Sequence, residues 1–126
     1  MDFVKKHSIL IIDDEKPHLN VLIHILNQEY TLYTAKDGQT GLDIAFEFVP
    51  DIILLDIILP DINGYEVITH LKASETTKHI PVIFITGLVS GENVKKGMAM
   101  GAADYIPKPF SATTVREKVK AQIDLL

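Results

Sequence analysis

The chain contains no cysteine, which excludes disulfides, thiolate metal sites and thiol catalysis. Basic residues are also scarce: 12 lysines and arginines face 17 acidic residues, and the net charge is −5 at pH 7. Because nucleic acids and anionic membranes are held mainly by basic surfaces, we expect neither as a direct partner. No apolar run approaches the roughly 20 residues of a membrane span. We therefore expect a soluble, cytoplasmic protein.

The 126 residues do contain an alternation of short apolar runs and amphipathic patterns. The apolar runs lie at 8–12, 30–34, 51–55, 81–86 and 103–106, and most are apolar at successive positions, as in parallel strands that are buried on both faces. Apolar residues three and four apart follow these runs and predict five helices. The apolar helix positions are Leu19, Leu22, Ile23, Leu26, Leu42, Ala45, Phe46, Val49, Val67, Ile68, Leu71, Val94, Met98, Val115, Val119, Ile123 and Leu126.

This alternation predicts an α/β fold, a (βα)5 doubly wound five-stranded parallel sheet with helices on both faces. No internal repeat, low-complexity stretch or linker divides the sequence, so we predict a single domain over residues 1–126. Ligands of such open sheets bind beyond the carboxyl ends of the strands. The residues that follow the predicted strands are therefore the candidates for a functional site.

Those strand ends carry Asp13 and Asp14, Asp56, Thr86 and Lys108. Three carboxylates in one place repel each other unless a cation lies among them, and Mg²⁺ prefers oxygen ligands of this kind. With Mg²⁺ bound, Asp56 is a plausible nucleophile toward phosphorus, because carboxylates form aspartyl-phosphates. Lys108 would supply a positive charge to phosphoryl oxygens, and Thr86 a hydroxyl donor.

Each of these residues taken alone has an ordinary structural explanation. The acids at 13–15 could favour the N-terminus of the first helix, and Asp56 could belong to a turn. Thr86 could simply end a strand, and Lys108 could be a solvated loop residue. The coincidence at four separate strand ends favours a functional site. The five histidines show no metal-ligand spacing, and we predict that they lie on the surface or beside helices.

Four segments resemble the signature segments of the response-regulator receiver domain of two-component signalling: ILIIDDE, DIILLDIILPDINGYEV, PVIFITG and GAADYIPKPF. The likeness covers essentially the whole chain in the same order. It implies a flavodoxin-like fold with strand order 2-1-3-4-5. It also implies that Asp13 and Asp14 are the acidic pair, that Asp56 is the phospho-acceptor, and that the backbone carbonyl of Ile58 is a further ligand of Mg²⁺.

The same resemblance implies roles for other residues. Lys108 would be the phosphate-binding lysine, Thr86 and Tyr105 the switch pair, and Lys108–Pro109 a cis peptide bond. A histidine kinase or phosphotransfer protein of a phosphorelay would supply the phosphoryl group. The face made by the fourth helix, fifth strand and fifth helix would then control an output domain or effector protein. The chain would catalyse only its own phosphorylation and dephosphorylation.

Two positions bear on how long the phosphorylated state lasts. By resemblance, the positions that flank the approach of the hydrolytic water are two beyond the phospho-acceptor and two beyond the threonine. They are Ile58 and Leu88 in this chain. Neither side chain can orient a water by hydrogen bonding, and both are bulky enough to obstruct one. We therefore predict comparatively slow autodephosphorylation.

Three other functions are less consistent with the sequence. A phosphatase with an aspartyl-phosphate intermediate usually has a second aspartate two residues after the nucleophile, where this chain has Ile58. A flavin-binding module needs small hydroxyl and glycine residues after the first strand, whereas DDEKP would repel a phosphate. A phosphorylation-independent interaction scaffold would lack one of the chemical groups. The sequence does not identify the kinase or the output. It also leaves open whether phosphorylation causes homodimers and whether the chain is a stand-alone receiver or a module of a longer protein.

Overall fold

The computed structural model describes residues 6–126, which form five strands and five helices in strict alternation. The first residues of the predicted domain, 1–5, lie outside the described part. The strands are β1 (Ser8–Ile12), β2 (Thr31–Ala35), β3 (Ile52–Leu55), β4 (Val82–Thr86) and β5 (Asp104–Pro107). The helices are α1 (Lys16–Leu26), α2 (Gly38–Phe48), α3 (Gly64–Lys72), α4 (Gly91–Ala99) and α5 (Ala112–Asp124).

All five strands are parallel, and their order is β2-β1-β3-β4-β5. This confirms the predicted doubly wound sheet and the implied strand order. The central strand β3 pairs with β1 through Ile52 opposite Ile9 and with β4 through Ile53 opposite Val82. The order reverses between β1 and β3, so the loops after these two strands diverge to opposite sides and leave a crevice at the carboxyl edge.

The sheet separates two apolar cores because successive side chains of a strand point to opposite faces. Leu10 and Ile53 belong to the core beneath α2 and α3, whereas Ile9 and Leu54 belong to the core beneath α1 and α5. This division explains why the three inner strands, β1, β3 and β4, are apolar at nearly every position. The residues of β1, β3 and β4 are almost entirely inaccessible to solvent.

The structure corrects some details of the sequence-based prediction. Strands β2 to β5 each begin one residue later than predicted. Three residues predicted to be helix core are exposed: Phe46 by 41%, Met98 by 44% and Leu126 by 61%. In α4 the buried residue is Gly97, which packs against the ring of Phe84. The next residue of a helix is rotated by about 100°, so Met98 points toward solvent.

None of the helices within residues 6–126 is both long enough and apolar enough to span a membrane.

Candidate metal and phosphoryl site

The polar residues that follow the strands meet at the carboxyl edge of the sheet. Asp13 follows β1, Asp56 follows β3, Thr86 ends β4, and Lys108 follows β5. Asp13 and Thr86 are completely buried, and Asp56 is 4% exposed. Buried charged groups are rare unless they are paired or bind a cation, so the charges of Asp13 and Asp56 must be balanced within this cluster.

Lys108 pairs with the buried carboxylates. Its Nζ donates to Oδ2 of Asp13 and to Oδ2 of Asp56, both at 2.8 Å, and to Oε2 of Glu15 at 3.2 Å. Burial alone would lower the pKa of Lys108, but the hydrogen bonds to Asp13 and Asp56 outweigh it and raise the pKa above its usual value. The ammonium is therefore permanently charged and lies between the two carboxylates.

Three carboxylates at this edge could hold a cation. One oxygen from each of Asp13, Asp14 and Asp56 can be chosen so that all lie within 4.8 Å of one another. Burial raises the pKa of Asp13, although its hydrogen bond from Lys108 opposes that effect. Hard carboxylate oxygens without nitrogen or sulfur match the preference of Mg²⁺, which keeps several of its waters. The donor set therefore fits the magnesium ion that the sequence predicts.

An open cavity of about 470 Å³ lies over these groups. The exposed side chain of Ile58 lines this cavity, and a backbone N–H of Ile58 donates to Oδ1 of Asp56 at 3.3 Å. Among residues 6–126, Leu88 is not one of those that line this cavity. It packs against the core instead. The cavity is lined by Asp14, Glu15, His18, Asp56, Ile58, Thr86, Gly87, Lys108 and Pro109.

Thr86 and Tyr105 are joined through the segment after β4. The hydroxyl of Thr86 accepts from the backbone N–H of Leu88 at 3.3 Å, and the hydroxyl of Tyr105 donates to the carbonyl of Leu88 at 2.7 Å. Tyr105 is only 8% exposed, so its ring is turned inward in this structure. It is held there by Phe84, whose ring centroid is 5.7 Å away, and by the carbonyl of Leu88.

The peptide bond between Lys108 and Pro109 is cis. The backbone N–H of Lys108 donates to the carbonyl of Thr86 at 2.9 Å. This hydrogen bond places the start of the β5–α5 connection beside the end of β4, and the side chain of Lys108 can then reach across to Asp56.

Sequence reasoning missed two residues of the site. The sequence offers for Glu15 only the alternative that it favours the N-terminus of the first helix, but its side chain makes no cap hydrogen bond and accepts one from Lys108 instead. That hydrogen bond lowers the pKa of Glu15. His18, predicted to lie on the surface or beside a helix, contacts Glu15 and forms a potential metal-binding group with Asp13 and Glu15. The spacing of Glu15 and His18, three residues apart in the first turn of a helix, could have indicated that they share a face.

Comparisons with known proteins agree with this geometry. Residues 9–120 match the response regulator receiver domain family. A probable cyclic di-GMP phosphodiesterase of Vibrio cholerae is 36% identical over 98% of this chain and 28% of its own length. The response regulator PleD of Caulobacter vibrioides is 38% identical over 90% of this chain and 25% of its own length. The chain thus spans about a quarter of the length of these curated relatives.

Solved structures include the BeF3-activated receiver domain of DrrB from Thermotoga maritima. It is 32% identical, with a TM-score of 0.87, and the alignment covers 95% of this chain and 99% of the other. The match to the family extends from β1 into α5, and the strand order is that of the same fold. This chain therefore belongs to the response regulator receiver domain family of two-component signalling.

Proposed function

We propose that the chain is a phospho-accepting receiver in which Asp56 takes a phosphoryl group from a histidine kinase or a phosphotransfer protein. The observation that carries this proposal is the contact of the Lys108 ammonium with Asp56 and Asp13 beneath an open cavity. A fixed cation beside a buried carboxylate offsets the negative charge of incoming phosphoryl oxygens, and such preorganised charge is a major source of catalysis.

Mg²⁺ would complete the site. Asp13, Asp14, Asp56 and the backbone carbonyl of Ile58 would hold the ion, which would supply positive charge to offset the developing negative charge of the transfer. The closeness of the three carboxylate oxygens supports this assignment. Asp13 and Asp14 would orient the ion, and Asp56 would both bind it and accept phosphorus through a carboxylate oxygen.

The transfer itself needs no further acid or base from the chain. A carboxylate oxygen of Asp56 attacks phosphorus, the bond from phosphorus to the imidazole nitrogen of the donor breaks, and the electron pair leaves with the imidazole. Lys108 would donate to one phosphoryl oxygen in exchange for a carboxylate contact, and the hydroxyl of Thr86 to another. The chain would act only on its own aspartate and would not be a multiple-turnover enzyme.

The output face would consist of α4, β5 and α5. A phosphoryl group on Asp56 would draw the Thr86 hydroxyl away from the Leu88 N–H, and Leu88 also accepts from Tyr105. The phosphoryl group would thereby change the balance between two arrangements of this segment. An effector protein or an output domain would recognise one of them.

The acceptor can be tested by incubating the chain with a small acyl phosphate and Mg²⁺ and measuring the intact mass. We expect one phosphoryl adduct in the wild type, none in Asp56→Asn, and none when EDTA removes Mg²⁺. Asp43→Asn is a matched control, since Asp43 is an exposed acid on α2 that bonds only Gln39 among the described residues. An adduct that persists in Asp56→Asn would show that another residue is the acceptor.

A further inference from the structure

The loop between β3 and α3 is fastened to the start of α2 by Asp61. Its Oδ1 accepts from the backbone N–H of Gly38 and its Oδ2 from that of Gln39, both at 2.8 Å. The first N–H groups of a helix have no partner within the helix, so this carboxylate satisfies two of them. A second aspartate, Asp37, caps the same helix locally by accepting from the N–H of Thr40 at 2.7 Å.

Close packing joins the same two segments. A Cβ atom placed on Gly38 would lie only 2.4 Å from Cγ1 of Ile62, which is the neighbour of Asp61 in the loop. Gly38 is buried, and Ile62 packs against the core beneath α2 and α3. The loop and the start of α2 are therefore in close contact at this point, and the hydrogen bonds of Asp61 oppose their separation.

This loop carries part of the proposed site. It begins directly after Asp56 and contains Ile58, whose backbone carbonyl is the proposed protein ligand beyond the three carboxylates. Its other hydrogen bonds are local, such as Ile58 N–H to Asp56 at 3.3 Å and Gly64 N–H to the carbonyl of Ile57 at 2.8 Å. Within the described residues, Asp61 provides the hydrogen bonds that link residues 57–63 to another part of the fold.

The fold favours the charged form of the Asp61 carboxylate. Slight burial would raise the pKa of Asp61, but the hydrogen bonds from the N–H groups of Gln39 and Gly38 outweigh it and lower the pKa. The positive end of the α2 dipole favours the same charged form. Asp61 therefore remains an acceptor for both N–H groups under conditions in which Mg²⁺ binds.

We propose that Asp61 is a positioning residue for the magnesium and phosphoryl site: by fastening the β3–α3 loop to the start of α2, it holds the backbone at Ile58 in place relative to Asp56 and Asp13. This inference rests on the proposed function, because it assigns Asp61 a role in Mg²⁺ binding at that site. By reciprocity, Mg²⁺ at the site stabilises the contact of Asp61 with the start of α2.

The test compares Asp61→Ala and Asp61→Asn with the control Asp37→Ala in the full chain. Isothermal titration with Mg²⁺ measures affinity, and hydrogen exchange measures protection of the Gly38 and Gln39 amides. We expect Asp61→Ala to bind Mg²⁺ about tenfold more weakly, as for other residues that orient metal ligands. Asp61→Asn, which keeps one carbonyl acceptor, should be intermediate. Asp37→Ala should destabilise α2 but keep the affinity of the wild type.

The effect of Mg²⁺ on amide hydrogen exchange distinguishes a positioning residue from a residue that only caps the helix. In the wild type and in Asp37→Ala, Mg²⁺ should slow exchange of the Gln39 amide. In Asp61→Ala that response should disappear. Equal Mg²⁺ affinity of the wild type and both Asp61 variants would overturn the inference, and so would an equal loss in Asp37→Ala. If Asp61→Ala does not fold, Asp61→Asn decides alone. If the wild type itself fails to bind Mg²⁺, the proposed function fails instead.

Discussion

Removing the positive charge of Lys108 should destabilise the chain and strengthen its binding of Mg²⁺. In Lys108→Met the apolar length of the side chain is kept, but Asp13 and Asp56 lose the ammonium that lies 2.8 Å from each. Both carboxylates are buried. The variant therefore retains two adjacent negative charges without a compensating cation, and a divalent ion no longer competes with the ammonium for their oxygens.

The size of the effect follows from the burial of the partners. Removing one member of a buried ion pair usually costs about 3–5 kcal/mol, because the other charge stays desolvated. We expect about 3 kcal/mol, the lower end of that range, because the Lys108 side chain is 10% exposed and Asp13, whose pKa burial raises, can take up a proton. For a domain of this size, a loss of that magnitude lowers Tm by about 10 °C.

The dependence on pH has a definite sign. Burial already raises the pKa of Asp13, and the loss of Lys108 removes an influence that lowers it. A carboxyl group whose pKa is higher in the folded than in the unfolded state destabilises the fold while it is ionised, and protonation relieves this as the pH falls. The difference in Tm between wild type and Lys108→Met should therefore shrink from neutral pH toward about pH 4.

Thermal unfolding followed by circular dichroism, with EDTA or with Mg²⁺, measures both effects. Mg²⁺ should recover more stability in Lys108→Met than in the wild type, because binding to the folded state alone adds stability. Lys118→Met is the matched control: its pair with Asp104 is one-third exposed, so its loss should cost less than about 1 kcal/mol. The reasoning is refuted if Lys108→Met is as stable as Lys118→Met in EDTA.

Three further predictions concern signal lifetime, a buried phenol and the output face. Phosphoryl decay should be faster in Ile58→Asn than in the wild type. It should also be faster in Leu88→Glu, but by a smaller margin, because Leu88 packs against the core. Equal lifetimes in the wild type and both variants would contradict the steric argument. Burial, together with the neighbouring Tyr65, raises the pKa of Tyr105 from 10.0 to about 12. An absorbance titration should therefore show a tyrosine that ionises late, and Tyr105→Phe should remove this late step. The stability that this phenol contributes is present below pH 10.0 and is lost as the pH rises toward about 12. Mg²⁺ and beryllofluoride should shift amide resonances across residues 94–106, and shifts confined to the metal site would contradict the proposed switch.

The sheet and its site edge could be predicted because their physical signals are local. Strands buried on both faces are apolar at successive positions, and β1, β3 and β4 are apolar throughout except for Ser8 at the start of β1 and Thr86 at the end of β4. A parallel sheet then brings the ends of its strands together, so Asp13, Asp56, Thr86 and Lys108 could be grouped before any contact was known. Strand order could not be predicted from local patterns, because hydrophobic periodicity carries no information about it. That prediction depended on the resemblance to a known family.

Features that depend on side-chain direction or on distant partners could not be predicted. Met98 fits a helical apolar stripe, but the approach of Gly97 to Phe84 turns it outward. Asp61 looks like an ordinary turn residue, since its partners lie 22 and 23 positions earlier in the chain. No pattern within a short window relates such residues. Only the crossover from β2 through α2 to β3 brings the start of α2 beside the loop.

The site therefore combines two separable contributions, charge and position. Lys108 contributes one positive charge, which cannot by itself neutralise the two buried carboxylates, Asp13 and Asp56, that it contacts. Asp61 contributes position from outside the cavity, through a helix that does not itself carry a proposed ligand. Because Lys108 competes with a metal ion and Asp61 favours its geometry, loss of the two should change Mg²⁺ affinity in opposite directions. The two contributions are compatible with the proposed role of Mg²⁺, since the ammonium stabilises the carboxylates when no ion is bound and Asp61 would keep the loop in position for the ion.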